Sequence, residues 1–291
     1  MLGSLSTTRN TNKIGSYRKV DIPSFDWPMA EPPAYRYPVT DPDNIEYNRQ
    51  QDLDSLRDVK EKIEHWKTAK GIEIAAVVLE PIQSAGGDHH ITSFFANELR
   101  RMTKEMGVFM IIDEVHTGIA CSGKFWAHEY WDLYSPPDFV SFSKKAQASG
   151  FYYPDEFRAK FAFRHFNTWM GDPVRALLMK KQNEIIRDQN LMENAVTTGA
   201  YFQDALTEVS KESPKWVTNV RGRGLCLAFD VDFDAGTDTS RAKLVAEMKK
   251  RGVNVPYCGL NTIRARPCLY FTEKHADIYC QVLRDSIASL D

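Results

Sequence analysis

The stretch Phe109-Met110-Ile111-Ile112-Asp113-Glu114-Val115-His116 decides the fold, read together with Asp138-Phe139-Val140-Ser141-Phe142-Ser143-Lys144-Lys145 downstream. A short apolar run that ends abruptly in an acid is the pattern of a strand buried on both faces, its carboxyl end opening into a ligand crevice. The second run has the same character and ends in a lysine. An aspartate and a lysine are therefore expected at neighbouring strand ends. Taken singly, a strand-end aspartate is most often a cap or turn residue, and a lysine after a strand is most often solvated.

One cofactor needs both residue types. Pyridoxal 5'-phosphate uses a lysine to hold its aldehyde carbon, and an acid to keep its ring nitrogen protonated so that the ring can draw in electrons.

Working outward, the pattern alternates. Leu53, Leu56, Val59, Ile63 and Trp66 recur at helical spacing and predict a helix over 52–67, ended by Gly71. A strand is predicted over 72–79, closed by Glu80-Pro81. Gly86-Gly87 mark a turn before a helix over 92–106. Strand, helix, strand, with chemistry-bearing residues after the strands, argues for a parallel α/β sheet with its ligands at the carboxyl edge. Upstream, Pro23, Pro28, Pro32, Pro33, Pro38 and Pro42 predict an extended surface connection through residue 45, pinned by Phe25, Trp27, Tyr35 and Tyr37.

Downstream of Lys144, a short strand is expected at 161–163, a helix from Pro173, a second helix over 191–209, and a change of domain near residue 190. From Trp216 the character becomes α+β. Strands are expected at 217–220 and 225–231 around an Arg221-Gly222-Arg223-Gly224 turn, with a helix over 240–250, short strands at 253–255 and 269–271, and a last helix over 273–290.

Composition is consistent with a chain that buries a substantial core as one large domain or two smaller ones: 291 residues, 43% hydrophobic and 26% charged. The 37 basic and 39 acidic residues leave a net charge of −2 with no long single-sign block, which argues against a nucleic-acid or anionic-membrane partner. No apolar run approaches the roughly 20 residues that span a bilayer. Cys121, Cys226, Cys258, Cys268 and Cys280 lack the spacing of a metal site and are expected to be free thiols, with no metal bound. The first twenty residues carry Arg9, Lys13, Arg18 and Lys19 and no acid before Asp21. They read either as a mitochondrial targeting segment or as internal domain sequence.

Three motifs carry a family resemblance: Ile112-Asp113-Glu114-Val115-x-Thr117-Gly118, Gly123-Lys124-Phe125-Trp126-Ala127-His128-Glu129, and Asp138 leading to Ser143-Lys144. Together they resemble the class-III pyridoxal-phosphate-dependent aminotransferases. Ile22-Pro23-Ser24-Phe25-Asp26-Trp27-Pro28, Leu79-Glu80-Pro81-Ile82-Gln83-Ser84, Phe166-Asn167-Thr168-Trp169-x-Gly171-Asp172-Pro173 and Arg221-Gly222-Arg223-Gly224 narrow it to the branch acting on 4-aminobutyrate. The resemblance implies an α/β fold: residues 1–190 as the C-terminal part of a fold-type-I large domain with a mostly parallel sheet, and 191–291 as a small α+β domain. It also implies pyridoxal 5'-phosphate as cofactor, a homodimer, the mitochondrial matrix, and transfer of an amino group from 4-aminobutyrate to 2-oxoglutarate.

Residue by residue, the resemblance makes Lys144 the catalytic Schiff-base lysine, with Lys145 as the alternative. Asp113 becomes the partner of the ring nitrogen. Thr168 would hold the cofactor phosphate across a dimer interface, and Glu80 and Arg264 would bind substrate, Arg264 receiving a carboxylate. His116 stands near the cofactor ring where the family usually has glutamine. Ala85 replaces a family glutamate, Ser149 a glycine, and Ile119-Ala120 a glycine pair, so Arg264 is expected to lack an anionic partner. Family members continue further at the N-terminus, where the phosphate loop and a stacking aromatic lie. The chain alone is therefore expected to turn over little, and a non-catalytic binding or dimerisation role, or an altered ω-amino-acid specificity, stays open.

Overall fold

The computed structural model of the chain describes residues 25–231 and 239–291. The basic N-terminal segment read above as a targeting signal lies outside the described residues, as does the start of the motif at Ile22. The first helix, α1 (Pro42–Lys70), is longer than expected. Pro42 starts it rather than extending the connection before it, because a proline needs no amide donor in the first turn and its fixed φ already suits a helix. Asp41 caps it by accepting from Asp43 N at 3.0 Å. Its buried positions Asn48, Asp52, Ser55, Val59, Ile63 and Trp66 recur every three or four residues and form one stripe. Gly71 ends it at φ 65°.

Asp52, on that stripe, ties three segments together. It accepts from Tyr35 Oη at 2.5 Å on the incoming connection, and from Thr92 Oγ1 at 2.8 Å. Thr92 in turn caps α2 (Ser93–Glu105) by accepting from Phe95 N at 3.0 Å.

The first sheet has strand order β1 (Ala76–Leu79), β4 (Phe109–Asp113), β5 (Phe139–Phe142), β6 (Gly150–Tyr152); β1, β4 and β5 run parallel and β6 antiparallel at the edge. A short hairpin of β2 (Ile82–Gln83) and β3 (His89–His90) lies beside it, with the helical turn Ser84–Gly87 between its strands. Val59, Ile63, Phe95 and Leu99 of the two helices pack on Met110 and Ile112, both fully buried. Only that face of β4 is buried. Phe109 on the other face is 36% exposed and Ile111 half-buried, which corrects the expectation of burial on both faces. A run of consecutive apolar residues does not say which of its two faces a neighbour covers. The strand expected at 161–163 is also absent, and β6 takes that place in the sheet.

The second sheet, β7 (Thr218–Arg223), β8 (Cys226–Asp230), β10 (Thr262–Ala265), β9 (Tyr257–Cys258), is antiparallel throughout. Arg221, Gly222 and Arg223 lie in β7 rather than in a turn. The strands expected at 253–255 and 269–271 do not form, while β10 was not foreseen. Its Thr262-Ile263-Arg264-Ala265 alternates charge with apolar residues too briefly to give a periodic signal. Phe202, Leu206 and Val209 of α4 (Leu191–Glu212), Leu244 and Met248 of α5 (Thr239–Lys250), and Ala276, Leu283 and Ile287 of α6 (Glu273–Ala288) close over Leu227, Phe229 and Ile263. The remaining helix, α3 (Pro173–Asp188), joins the halves: its Ile186 packs with Ile119, Ala120 and Ala146 of the first.

Within the second half, α4 and the turn between β7 and β8 meet at a close backbone crossing. A Cβ placed on Gly199 of α4 would lie 2.3 Å from Gly224 O. Replacing a helical glycine by alanine ordinarily stabilises by about 0.5–1 kcal/mol. Here Gly199→Ala is expected to reverse the sign and lower the unfolding free energy by about 1–3 kcal/mol, measured by urea denaturation. A variant as stable as the parent would show that this crossing is not tight.

Candidate active site

Parallel pairing of β4 with β5 sets Asp113 opposite Ser141. Ser141 Oγ donates to Asp113 Oδ1 at 3.1 Å, and Val115 N donates to the same oxygen at 2.9 Å. The carboxylate is thus anchored through one oxygen, and among the described residues no hydrogen bond reaches Oδ2. Two residues past β5 the chain enters a tight turn at Lys144, whose φ of 52° is unusual for a residue with a side chain. Such a conformation costs on the order of 1 kcal/mol and collects at functional sites.

The turn brings Lys144 Nζ within 2.9 Å of His116 Nε2, and Lys145 Nζ donates to His116 O at 2.5 Å. Partial burial lowers the Lys144 pKa, opposed by the negative charges of Asp113 and Glu80. Burial, then the positive field of Lys144, Arg264, Arg266 and Lys145, pushes His116 down to about 3, so its ring is neutral at ordinary pH. The lysine and the histidine are therefore neighbours that favour each other's uncharged form. The strand-end acid and lysine, expected at neighbouring strand ends, lie in one electrostatic neighbourhood with His116.

Glu80 follows β1, the strand on the other side of β4. It accepts from Ser84 N at 3.1 Å. Burial raises its pKa to about 7, helped by the charges of Asp113 and Asp88. Arg264 comes from β10 of the second sheet, so both halves of the chain supply the site.

Arg264 is not left alone. Its Nε donates to Asp88 Oδ2 at 3.2 Å and its Nη2 to Ser84 Oγ at 2.5 Å. Arg266 takes the same carboxylate through two contacts, Nε to Oδ2 at 3.2 Å and Nη2 to Oδ1 at 2.6 Å. The expected lack of an anionic partner, inferred from Ala85, is thereby corrected: Asp88, three residues on, supplies one. Asp88 is fully buried and sits at φ 53°, immediately after the turn Ser84–Gly87. Sequence reading passed over it because an acid after two glycines looks like an ordinary turn residue. The available signal was the Arg264-x-Arg266 pair, since two arginines on one face of a strand call for an acid.

Thr168 stands apart. It is exposed, in a segment that also exposes Phe163, Phe166 and Trp169, and among the described residues no hydrogen bond joins it to Asp113, His116 or Lys144.

The arrangement fits the reactive half of pyridoxal phosphate. A lysine amine with a lowered pKa can hold an aldehyde carbon, and an anchored carboxylate with one oxygen unclaimed can face a protonated ring nitrogen. For the phosphate end, Thr168 is the one expected ligand, and nothing on this chain brings it to the others. Among the described residues no cluster of His, Cys, Asp or Glu is arranged to hold a metal ion, and no helix is long and apolar enough to cross a membrane.

Comparison with known proteins follows the same lines. The family profile described as aminotransferase class-III matches residues 1–287. The chain is 41% identical over 286 residues to a probable mitochondrial 4-aminobutyrate aminotransferase of Caenorhabditis elegans, covering 98% of this chain and 57% of that protein. It is 42% identical over 273 residues to a 4-aminobutyrate aminotransferase of Dictyostelium discoideum, covering 94% and 52%. Among solved structures it resembles a lysine aminotransferase from M. tuberculosis, with a TM-score of 0.82 and 30% identity over 93% of this chain and 60% of that one. The chain thus spans about half the length of the curated relatives it matches.

Two outcomes are expected from these electrostatics. Glu80 has a folded pKa above its unfolded value, so the unfolded state releases its proton first and stability falls as pH rises from about 4.5 to about 7. Glu80→Gln should remove that fall, roughly 1–3 kcal/mol, in denaturation curves taken across the range; an unchanged pH profile would place Glu80 in water. Asp88→Asn leaves two guanidinium groups facing each other and should lower the unfolding free energy by about 3–5 kcal/mol. A loss within about 0.5 kcal/mol, as for an ordinary surface change, would show that the arginines do not depend on it.

Proposed function

Since the chain belongs to the class-III aminotransferase family, we propose that it forms the lysine-bearing part of a pyridoxal-phosphate-dependent enzyme. That enzyme moves an amino group from 4-aminobutyrate to 2-oxoglutarate, giving succinate semialdehyde and glutamate. The observation that carries this reading is the placement of Lys144 and Asp113 at the ends of adjacent parallel strands with Arg264 reaching in from the second sheet. The names of the relatives above agree with it. Their shared label also favours 4-aminobutyrate over other ω-amino acids, and the word mitochondrial in the nematode relative's name supports the matrix as the site of action.

Bound pyridoxal phosphate supplies an aldehyde that captures amines and a protonated ring that withdraws electrons from the bond being broken. This chain's residues do the rest. Lys144 Nζ would hold the cofactor through its aldehyde carbon and, as a free amine, would accept and return the proton of the substrate carbon. The partial burial that lowers its pKa favours the uncharged amine that such a transfer needs. Asp113, fixed by Ser141 and Val115 through one oxygen, would offer the other to the ring nitrogen and keep a proton there. His116, neutral and 2.9 Å from Lys144 Nζ, orients the amine. Arg264 receives a substrate carboxylate through its guanidinium face, and Glu80, near neutrality, lines the same space without strongly repelling that anion.

Thr168 contributes, on this reading, to the site of a second copy. Phe161, Phe163, Phe166 and Trp169 around it are 72%, 81%, 63% and 80% exposed, a cluster of large apolar side chains that a homodimer would cover. The chain divides near residue 190 into the large-domain part that bears Lys144 and the small domain that bears Arg264.

The test is chemical. The chain is incubated with pyridoxal phosphate, reduced with borohydride and digested, and the modified lysine is read by mass spectrometry. Label at Lys144, lost in Lys144→Ala with no other lysine taking it up to the same extent, is the expected result. Label spread evenly over the surface lysines would overturn the assignment.

A further inference from the structure

We propose that Cys121 and Cys226 are an oxidation site, a thiol pair that hydrogen peroxide closes to a disulfide across the junction of the two halves of the chain. The pair lies outside the proposed chemistry of Lys144, and the inference does not rest on it.

The two cysteines are 105 positions apart in sequence, yet their sulfurs lie 3.2 Å from each other. Both are buried, at 4% and 1% exposure. Cys121 follows the loop that leaves β4, and Cys226 is the first residue of β8. Neither approach is accidental, because the backbones around them are locked. Leu225 N donates to Cys121 O at 2.9 Å. A Cβ on Gly224 would come within 2.5 Å of Ser122 C and 2.8 Å of Cys121 O, so the two chains cross in direct contact. A bond requires the sulfurs to close to about 2.05 Å, a movement of roughly 1 Å that side-chain rotation can supply. The three other cysteines have no such partner: Cys258 and Cys280 are buried elsewhere, and Cys268 is exposed.

The surroundings favour an attacking thiolate on one member only. Cys226 Sγ donates to Cys121 Sγ, and Lys145 and Arg266 add positive charge near it, which together hold Cys121 below the usual thiol range. The same hydrogen bond and burial push Cys226 up, so it keeps its proton. The protonated form of Cys121 instead donates to Thr117 O at 3.0 Å, a contact given up on ionisation. One low and one high thiol in contact is the arrangement in which the first attacks the oxidant and the second resolves the sulfenic acid it forms.

The small polar cavity near the pair is water-sized, so only a small oxidant such as hydrogen peroxide is a candidate. This cavity lies one residue away from the pair: its walls include Ser122, next to Cys121 in sequence, and Ile82, which packs with both cysteines. His90 Nε2 and Ser122 Oγ, both buried in its wall, have no hydrogen-bond partner among the described residues.

The reaction balances without another co-reactant. The Cys121 thiolate attacks one oxygen of hydrogen peroxide, the O–O bond breaks, and a sulfenic acid and hydroxide form. The Cys226 sulfur then attacks Cys121 Sγ, the S–O bond breaks, and water leaves with the Cys226 proton. Two thiols lose two electrons, and the peroxide becomes two waters. The product ties the loop after β4, which carries His116, to the sheet that carries Arg264.

The test uses the whole chain. After treatment with hydrogen peroxide, remaining thiols are alkylated and the unreduced digest is mapped by mass spectrometry. The expected result is a fall from five free thiols to three, with a 121–226 linked peptide about tenfold more abundant than any other cysteine pair. The unfolding temperature should rise by a few degrees and return on adding dithiothreitol. In Cys226→Ser, Cys121 should stop at sulfenic acid and be trapped by dimedone. Alkylation of both Cys121 and Cys226 after peroxide, with loss confined to Cys268, would overturn the proposal, as would over-oxidation of Cys121 in the wild type without any linked peptide.

Discussion

The register of β4 against β5 is the constraint on which the site depends. Pairing Ile111, Ile112 and Asp113 with Phe139, Val140 and Ser141 puts Asp113 beside a hydroxyl that can hold it and places the Lys144 turn just beyond. A slip of one residue would turn Asp113 into the helix-covered face that Met110 and Ile112 fill, and leave Lys144 without its acid. That register is secured from below. The buried Arg100 guanidinium holds Asp138 with Nη1 at 2.6 Å, and Asp138 accepts from Met110 N at 2.7 Å, so the entry of β5 is fixed to β4 before the strands begin to pair.

The second constraint is the clasp on the turn Ser84–Gly87 and Asp88. Arg264 and Arg266 share the Asp88 carboxylate, Arg221 donates to Gly87 O, and Gly259 N donates to Ala85 O at 3.1 Å. Every one of these bonds runs from the second sheet, or from a residue flanking its strands, to the turn that follows β2 and its next residue Asp88. Arg221 is itself paired with Asp230 at 2.8 Å, so the charges of this junction balance mostly among themselves. Two guanidinium groups on one carboxylate still leave a surplus of positive charge beside Glu80 and His116, and that surplus adds to burial and to Lys144 in keeping the histidine neutral. The junction that joins the halves also sets the field in which Lys144 works.

Much of this was legible in the sequence, but unevenly. Local signals were enough for β4 and β5, for the helix α2, for Gly71 as a helix end, and for the placement of Asp113 and Lys144 at neighbouring strand ends, since each depends on a few adjacent residues. The start of α1 was misread because Pro42 is equally at home in a connection and in a first helical turn. The edge strand β6 and the short β10 carry too few residues for a period to show. The partnership of Asp88 with Arg264 spans 176 positions, and no pattern within one stretch of chain reports a contact at that range. For the same reason the meeting of Cys121 with Cys226 left no trace, although both residues were in view from the start.

The central claim is that Asp113 and Lys144 occupy one site and feel each other's charge. The most direct test follows the reactivity of the Lys144 amine toward an acylating reagent across pH, read on its own peptide, in the parent and in Asp113→Asn. The account predicts a midpoint below the roughly 10.4 of an ordinary lysine, and a further fall once the Asp113 charge is removed. An ordinary midpoint that does not move in the variant would contradict it.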